Sequence, residues 1–334
     1  MKIVIPFALE PRHRATLTAA APGADIVDRA CRHTSEIAEL ITRDTDVLMS
    51  FRMPNDTLER APGLKWVQLL SAGADWALGG PLKGAKFPVT NASGLHATPI
   101  AEYTIGSMLA WAHKLHISMR AQIKHEWHRG GYMDQVDVLR GKTLGVIGYG
   151  SIGRETARLG QAMGMTVLAL KRTPSEHRDP GWSPENVGDR EGVIPRRWFG
   201  SDGCAAILAE SDFVTLTLPF TARTRNFIGA NEIAAMKRGS YLVNIGRGGT
   251  IDERALAEAI KSGRIGGAGL DVFEHEPLEA ESPLWDLENV LLTPHISGGY
   301  LGYMDGACEL FAENLRRFTS KRPLLNVVDP ALGY

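Results

Sequence analysis

The chain has 334 residues, 44% of them hydrophobic and 22% charged, and a formal net charge of −1. That length holds two buried cores, the composition is that of an ordinary globular protein, and a charge near zero gives no bulk attraction for nucleic acid or an anionic membrane. Cys31, Cys204 and Cys308 lie far apart, with no CxxC and no neighbouring histidine set, which argues against a disulfide framework or a zinc site and suits a reducing, cytoplasmic compartment. No metal is expected.

In chain order, the apolar opening at residues 1–9 is cut short by Glu10 and Arg12, so it reads as a first strand rather than a secretory segment. No apolar run approaches the roughly 18 residues a membrane span needs. Residues 3–5, 46–49 and 66–70 read as buried strands of a parallel sheet, with helices over 35–42 and 54–60 between them. Thr98 and Pro99 suit the cap and first position of a helix. The apolar spacing of Ile105, Met108, Leu109, Ala112 and Leu115 predicts one long helix over 100–117, placed to divide two domains. From Lys142 the βα alternation is regular. Strands are expected at 143–147, 166–170, 213–218, 241–244, 268–272 and 290–293, with a helix over 151–163 that Gly164 ends. The polar, Pro-, Gly- and Arg-rich stretch 173–203 reads as an extended surface loop or insertion and is assigned no chemistry.

Gly148-Tyr149-Gly150-Ser151-Ile152-Gly153 is a GxGxxG. It follows an apolar strand and opens an amphipathic helix, the context of a dinucleotide-binding βαβ unit. Gly148 permits the tight turn, Gly150 lets the backbone approach a pyrophosphate and Gly153 lets helix and strand pack closely. An NAD site carries an acidic residue about 20 positions on, at the end of the second strand. Lys171 and Arg172 stand there instead, two cations suited to a 2′-phosphate. The pair favours NADP(H), with NAD(H) as the alternative.

Hydride transfer to a keto acid needs a proton donor for the carbonyl oxygen, a cation for the carboxylate and a group that holds the donor in the right tautomer. Three late segments, each at a predicted strand end, offer these. Asn244-Ile245-Gly246-Arg247-Gly248-Gly249 sets an arginine in a glycine turn. Asp271-Val272-Phe273-Glu274-His275-Glu276-Pro277 is dense in carboxylates. Thr293-Pro294-His295-Ile296-Ser297-Gly298 supplies a histidine.

These motifs, in this order, resemble the D-isomer-specific 2-hydroxyacid dehydrogenase family, which includes glyoxylate/hydroxypyruvate reductases, phosphoglycerate dehydrogenases and D-lactate dehydrogenases. The resemblance runs over nearly the whole chain. It includes Leu69-Leu70-Ser71-Ala72-Gly73-Ala74-Asp75, Gly94-Leu95-His96, the glycine turn, Ser211-Asp212-Phe213-Val214 on to Pro219, and Pro323-Leu324-Leu325-Asn326-Val327-Val328.

The resemblance implies an α/β fold of two Rossmann-like or flavodoxin-like domains with parallel sheets, the cofactor domain inserted in the substrate domain. The substrate-binding domain would comprise 1–98 and 297–334, the NAD(P)-binding domain 99–296, with a hinge near Thr98-Pro99 and His295–Ser297. His295 would be the general acid in reduction and base in oxidation, and Glu276, immediately before the proline, its partner rather than Glu274. Arg247 would bind the substrate carboxylate and carbonyl, with the backbone of Ala72, Gly73 and Ala74 on the carboxylate's other side. Asp271 would bond the nicotinamide carboxamide, and Ile245 and Gly246 would line its pocket. Further cofactor contacts are implied at Ser151, Ile152, Leu218, Pro219, Thr224 and Gly298. The family also implies a homodimer.

Two departures stand out: Thr217, where many members carry His, and Lys171 at the usual acidic position. Glu276 speaks against a formate-oxidising relative, which carries Gln there; a phosphite dehydrogenase-like oxidoreductase stays an alternative, although that group carries a lysine in the loop corresponding to 70–73 and none occurs here. A cofactor-sensing co-repressor of the same fold is the non-enzyme alternative, disfavoured because the chain lacks the long disordered tail expected there. His96, His113, His116, His125 and His128 show no metal-ligand set beyond a possible His125/His128 face, and Trp111 and Trp127 read as core or interface.

Overall fold

Apolar runs too short for helices, each bounded by turn residues, build two sheets whose named strands all pair in parallel. The computed structural model describes every residue except 128, 130–132, 331 and 333–334, so a His125/His128 pair lies outside the described residues. The chain divides into two units, one formed by Met1–His96 with Tyr300–Tyr334 and the other by Ala97–Gly299.

In the first unit, strands β1 (Lys2–Ile5), β2 (Asp25–Asp28), β3 (Val47–Ser50), β4 (Trp66–Leu69) and β5 (Val89–Thr90) take the order β2-β1-β3-β4-β5. This is the flavodoxin-like order. The four residues of β3 and of β4 are buried throughout, as expected of strands covered on both faces. Helices α1 (Pro11–Ala20), α2 (Thr34–Leu40), α3 (Thr57–Arg60) and α4 (Asp75–Leu78) come from the N-terminal part, and the final helix, α11 (Tyr303–Thr319), from the C-terminal part. Trp66 packs its indole against Phe311 and Phe318 of α11, with ring centroids 5.1 and 5.4 Å apart. Asn314, fully buried, ties α11 to Gln68 and Leu325.

The second unit holds helices α5 (Ala97–Ala112), α6 (Leu115–Ile123), α7 (Ser151–Ala162), α8 (Cys204–Glu210), α9 (Ala230–Ala235) and α10 (Glu253–Lys261). Its strands are β6 (Thr143–Ile147), β7 (Thr166–Leu170), β8 (Arg197–Phe199), β9 (Phe213–Leu216), β10 (Tyr241–Asn244), β11 (Gly267–Leu270) and β12 (Val290–Leu292). Their order, β12-β11-β10-β9-β6-β7-β8, is the Rossmann arrangement with a seventh strand. The order reverses between β6 and β9, and in open α/β sheets ligands bind beyond the strand ends at that switch point.

Three sequence expectations are corrected here. Helix α5 already begins at Ala97, which places Thr98 inside the first turn and not at the cap. The long helix expected over 100–117 is two helices: Lys114 takes a left-handed φ of 55° and caps the start of α6, its ammonium seated 3.8 Å from the centre of the Trp111 ring. The 173–203 stretch is more than a surface loop, because it contains β8, which pairs with β7, and the buried acid Asp189.

Candidate active site

The glycine turn sits at the carboxyl end of β6, beside the switch point. Gly148 adopts φ +99°, and a Cβ there would lie 2.8 Å from Thr217 Oγ1. Gly153 is tighter: a Cβ would come within 2.2 Å of the Gly148 carbonyl oxygen and 2.9 Å of Val146, so only glycine lets α7 close onto β6. A Cβ on Gly150 would meet nothing within 4 Å, and Gly150 caps α7 without a side chain. Such an open backbone surface at the N-terminus of a 12-residue helix fits a dinucleotide pyrophosphate. Thr217 Oγ1 donates to the Gly148 carbonyl at 2.5 Å, so the residue that replaces histidine here buttresses the turn. Ser151 and Ile152, in the first turn of α7, are half-buried.

The 173–203 stretch is pinned to this turn. Arg154, only 2% exposed, donates to the carbonyls of Asp189 and His177 at 2.5 and 2.6 Å and lies 3.3 Å from the Asp179 carboxylate. Tyr149, inside the glycine motif, donates its hydroxyl to Asp189 at 2.8 Å. Asp189 also accepts from the backbone N–H groups of Val193 and Ile194. The two cations after β7 behave differently. Lys171 folds back to donate to the Glu176 carbonyl at 2.5 Å, and burial, reinforced by nearby Arg154, holds its pKa below the usual lysine range. Arg172 is exposed at the strand end.

Strands β10, β11 and β12 are neighbours, and their carboxyl ends carry the three late motifs. After β10, the Arg247 carbonyl accepts from Thr250 Oγ1 (2.6 Å) and Asn244 Nδ2 (3.3 Å), and its own guanidinium donates to the Gly246 carbonyl (2.8 Å). A Cβ on Gly246 would stand 2.7 Å from the Leu218 carbonyl, and one on Gly248 would fall 1.8 Å from the Phe273 carbonyl carbon. The glycines flanking Arg247 therefore let its turn lie directly against the turns after β9 and β11. Ile245 is buried, Leu218 and Pro219 are half-buried, and Thr224 ties its hydroxyl to the Pro219 carbonyl at 2.6 Å.

Glu276 Oε2 lies 2.8 Å from His295 Nδ1, while its Oε1 accepts from the Phe273 N–H at 3.0 Å. The carboxylate is thus held at both oxygens, and it is Glu276 that meets the histidine. The neighbouring Glu274 is bonded instead through its N–H to Glu253, at 2.5 Å. Burial raises the Glu253 pKa, opposed by the hydrogen bond it accepts from the Glu274 N–H. His295 itself takes φ +54°, a left-handed conformation that its turn must enforce. Asp271 does so: fully buried, it accepts from Thr293 Oγ1 (2.5 Å), Ile296 N–H (2.9 Å) and Ser297 N–H (2.9 Å), residues on both sides of His295. Tyr103 from α5 adds a bond to Thr293 Oγ1 at 2.7 Å, and burial pushes its own hydroxyl up to about 12. Gly298, next in the turn, is half-buried.

In the first unit, Ala72, Gly73 and Ala74 follow β4. Asn91 Nδ2 donates to the Ala72 carbonyl at 2.8 Å and Ser71 Oγ to the Gly73 carbonyl at 2.7 Å. Among the described residues the N–H groups of these three donate to nothing. Sequence reasoning missed the supporting set of Thr217, Gly248, Thr293, Tyr103, Arg154 and Asp189. Thr217, Gly248 and Thr293 lay inside recognised motifs without a supporting role assigned to them, whereas Tyr103, Arg154 and Asp189 lay outside.

Residues 105–297 match the model of the D-isomer specific 2-hydroxyacid dehydrogenase NAD-binding domain. The chain is 34% identical over 297 residues to a D-3-phosphoglycerate dehydrogenase of Methanocaldococcus jannaschii, a match covering 88% of this chain and 53% of that one, so it spans about half the length of that relative. It is 30% identical over 302 residues to a glycerate dehydrogenase of Methylorubrum extorquens, 88% of each chain. Among solved structures, it superposes on an NADPH-dependent glyoxylate/hydroxypyruvate reductase of Sinorhizobium meliloti, in complex with NADP and sulfate. The TM-score is 0.80 at 28% identity, covering 100% of this chain and 99% of the other.

Proposed function

Because the chain belongs to the D-isomer-specific 2-hydroxyacid dehydrogenase family, we propose that it is an NADP(H)-dependent reductase of 2-keto acids, with His295, Glu276 and Arg247 as its catalytic residues. The observation that carries this reading is the 2.8 Å contact between His295 Nδ1 and a Glu276 carboxylate fixed at its other oxygen. A bound nicotinamide supplies hydride to C2. The protein's part is the proton and the charge. Glu276 accepts a hydrogen bond from Nδ1–H and fixes the orientation of the ring, and the imidazolium, as general acid, gives its Nε2 proton to the carbonyl oxygen. In the reverse direction neutral Nε2 takes the hydroxyl proton. The Arg247 guanidinium binds the carboxylate and polarises the carbonyl, a task for which its planar fork is suited. The N–H groups of Ala72, Gly73 and Ala74 supply further donors for the carboxylate.

The second unit is the cofactor-binding domain and the first the substrate-binding domain. Asp271 and the pocket of Ile245, Gly246, Leu218, Pro219, Thr224 and Gly298 face the nicotinamide end. What supports NADP(H) is the absence of a carboxylate after β7, where Lys171 holds the usual acidic position and the exposed Arg172 follows it. A homodimer through the second unit is supported by a stripe at helical spacing, Leu115, Met119 and Ile123, the last 80% exposed, followed by Trp127 at 89%.

Replacing His295 by Gln tests the assignment. Turnover of a 2-keto acid, followed by cofactor absorbance, is expected to fall by at least about 10²-fold, with NADPH affinity near that of the parent. Unchanged turnover would remove His295 from the mechanism.

A further inference from the structure

The turn after β11 that carries Glu276 has little packing of its own. Val272 and Phe273 are buried, but residues 274–277 are exposed. Hydrogen bonds rather than burial therefore hold Glu276 in reach of His295. The bond from the Phe273 N–H to Glu276 Oε1 closes within the turn. The next N–H, that of Glu274, donates out of it, to Glu253 Oε1.

Glu253 stands on a well-fixed segment. It is the first residue of the nine-residue helix α10, which Asp252 caps by accepting from the Ala255 N–H at 2.9 Å. Ile251 bridges to Ile228, and the Asp252 N–H donates to the Ile228 carbonyl. Further back, Thr250 Oγ1 ties the segment to the Arg247 carbonyl, and Gly248 lies against Phe273. The segment that carries Arg247 thus meets the Glu276 turn twice, through the bare backbone of Gly248 and through the Glu253 carboxylate. A helix N-terminus favours an acid at its first position, but it does so equally for one left in solvent. Glu253 is instead half-buried, where burial works against its charge, and what it gains there is the Glu274 N–H.

Resting on the reductase reading, we infer that Glu253 is a positioning residue for the proposed acid: by holding the Glu274 N–H it sets where Glu276 stands, and so whether Glu276 reaches His295 Nδ1. Its carboxylate acts through the turn and takes no part in the proton transfer. Asp271 fixes the His295 side of the pair and Glu253 the Glu276 side. A shift of the turn by about 1 Å takes the 2.8 Å contact out of hydrogen-bond range.

The test uses the full chain with NADPH and the best-used of glyoxylate, hydroxypyruvate and phenylpyruvate, with NADPH binding and thermal unfolding measured alongside. Glu253→Ala removes the acceptor, and kcat should fall by about tenfold or more while NADPH affinity stays within about twofold. Glu253→Gln keeps a side-chain oxygen for the Glu274 N–H and should restore kcat to within about threefold of the wild type. Asp252→Ala removes the cap of α10 without touching the Glu276 turn; it should lower the unfolding midpoint at least as much as Glu253→Ala yet leave kcat within about twofold. Full turnover in Glu253→Ala, a Gln variant as slow as the Ala variant, or an equal loss of kcat in Asp252→Ala overturns the inference and leaves the reductase reading intact. A wild type that turns over none of the three acids brings down both.

Discussion

Replacing Asp271 by Asn probes how the proposed acid is held in place. The carboxylate is fully buried and accepts three hydrogen bonds from the turn that carries His295. An amide with its oxygen at the Oδ1 position keeps Thr293 Oγ1 and the Ile296 N–H, but it turns an NH2 towards the Ser297 N–H. Stranding that donor costs about 1–3 kcal/mol. Loss of charge from the two surviving bonds costs about 1 kcal/mol more for each. The total, roughly 3–5 kcal/mol, lowers the unfolding midpoint of a unit this size by about 10 °C or more. Since His295 sits at φ +54° between the anchored residues, relaxation of the turn moves its ring, and a displacement of about 1 Å is worth about 10²-fold in turnover. Thermal unfolding, NADPH binding and steady-state reduction of a 2-keto acid separate these effects. Turnover should fall far more than cofactor affinity. An Asn variant that melts and turns over like the parent refutes the anchoring role.

Arg172→Ala should weaken NADPH binding by about tenfold or more with little effect on NADH, whereas Lys171→Ala should affect both alike, because Lys171 is spent on the Glu176 carbonyl. Equal losses of the two cofactors in Arg172→Ala would show that it does not read the 2′-phosphate. Glu253→Gln addresses pH. Its pKa is raised in the folded chain by burial, which outweighs the hydrogen bond from the Glu274 N–H, so the folded state binds the proton more tightly and stability drops as pH rises from the ordinary glutamate range through the raised value. The Gln variant should therefore be the more stable at neutral pH and lose that advantage on acidification through the same window; urea titrations at several pH values check the sign. Ile123→Glu should convert a dimer to a monomer in light scattering, and a variant of unchanged mass would place the interface elsewhere.

The strands of the second unit were legible because each is an apolar run between turn residues, and Thr143–Ile147, Thr166–Leu170 and Tyr241–Asn244 agree residue for residue with the expectation. Strands β2 and β5 left no such signal. Asp25 and Asp28 bracket only two apolar residues in β2, and β5 is two residues long, extended by a bridge from Val327. Strand β8 was hidden by its neighbours, since Arg197-Trp198-Phe199 sits in a polar stretch whose order comes from Arg154 and Asp189, both far away in sequence. At the candidate site, local motifs brought Arg247, Glu276 and His295 to attention. The pairing of His295 with Glu276 was an expectation of the family resemblance alone, and the anchoring by Asp271 and Tyr103 depends on register between strands, which short-range patterns do not encode.

The interrupted first unit also bears on how the chain is made. Residues 97–299 form one continuous stretch, so the second unit has all its strands once the ribosome has passed Gly299. The first unit has its five strands by residue 90 but no α11, and without it Trp66 lacks Phe311 and Phe318, while the buried Gln68 lacks Asn314. The earliest part of the chain to emerge is thus among the last to close, and it waits without α11 through the synthesis of about two hundred residues.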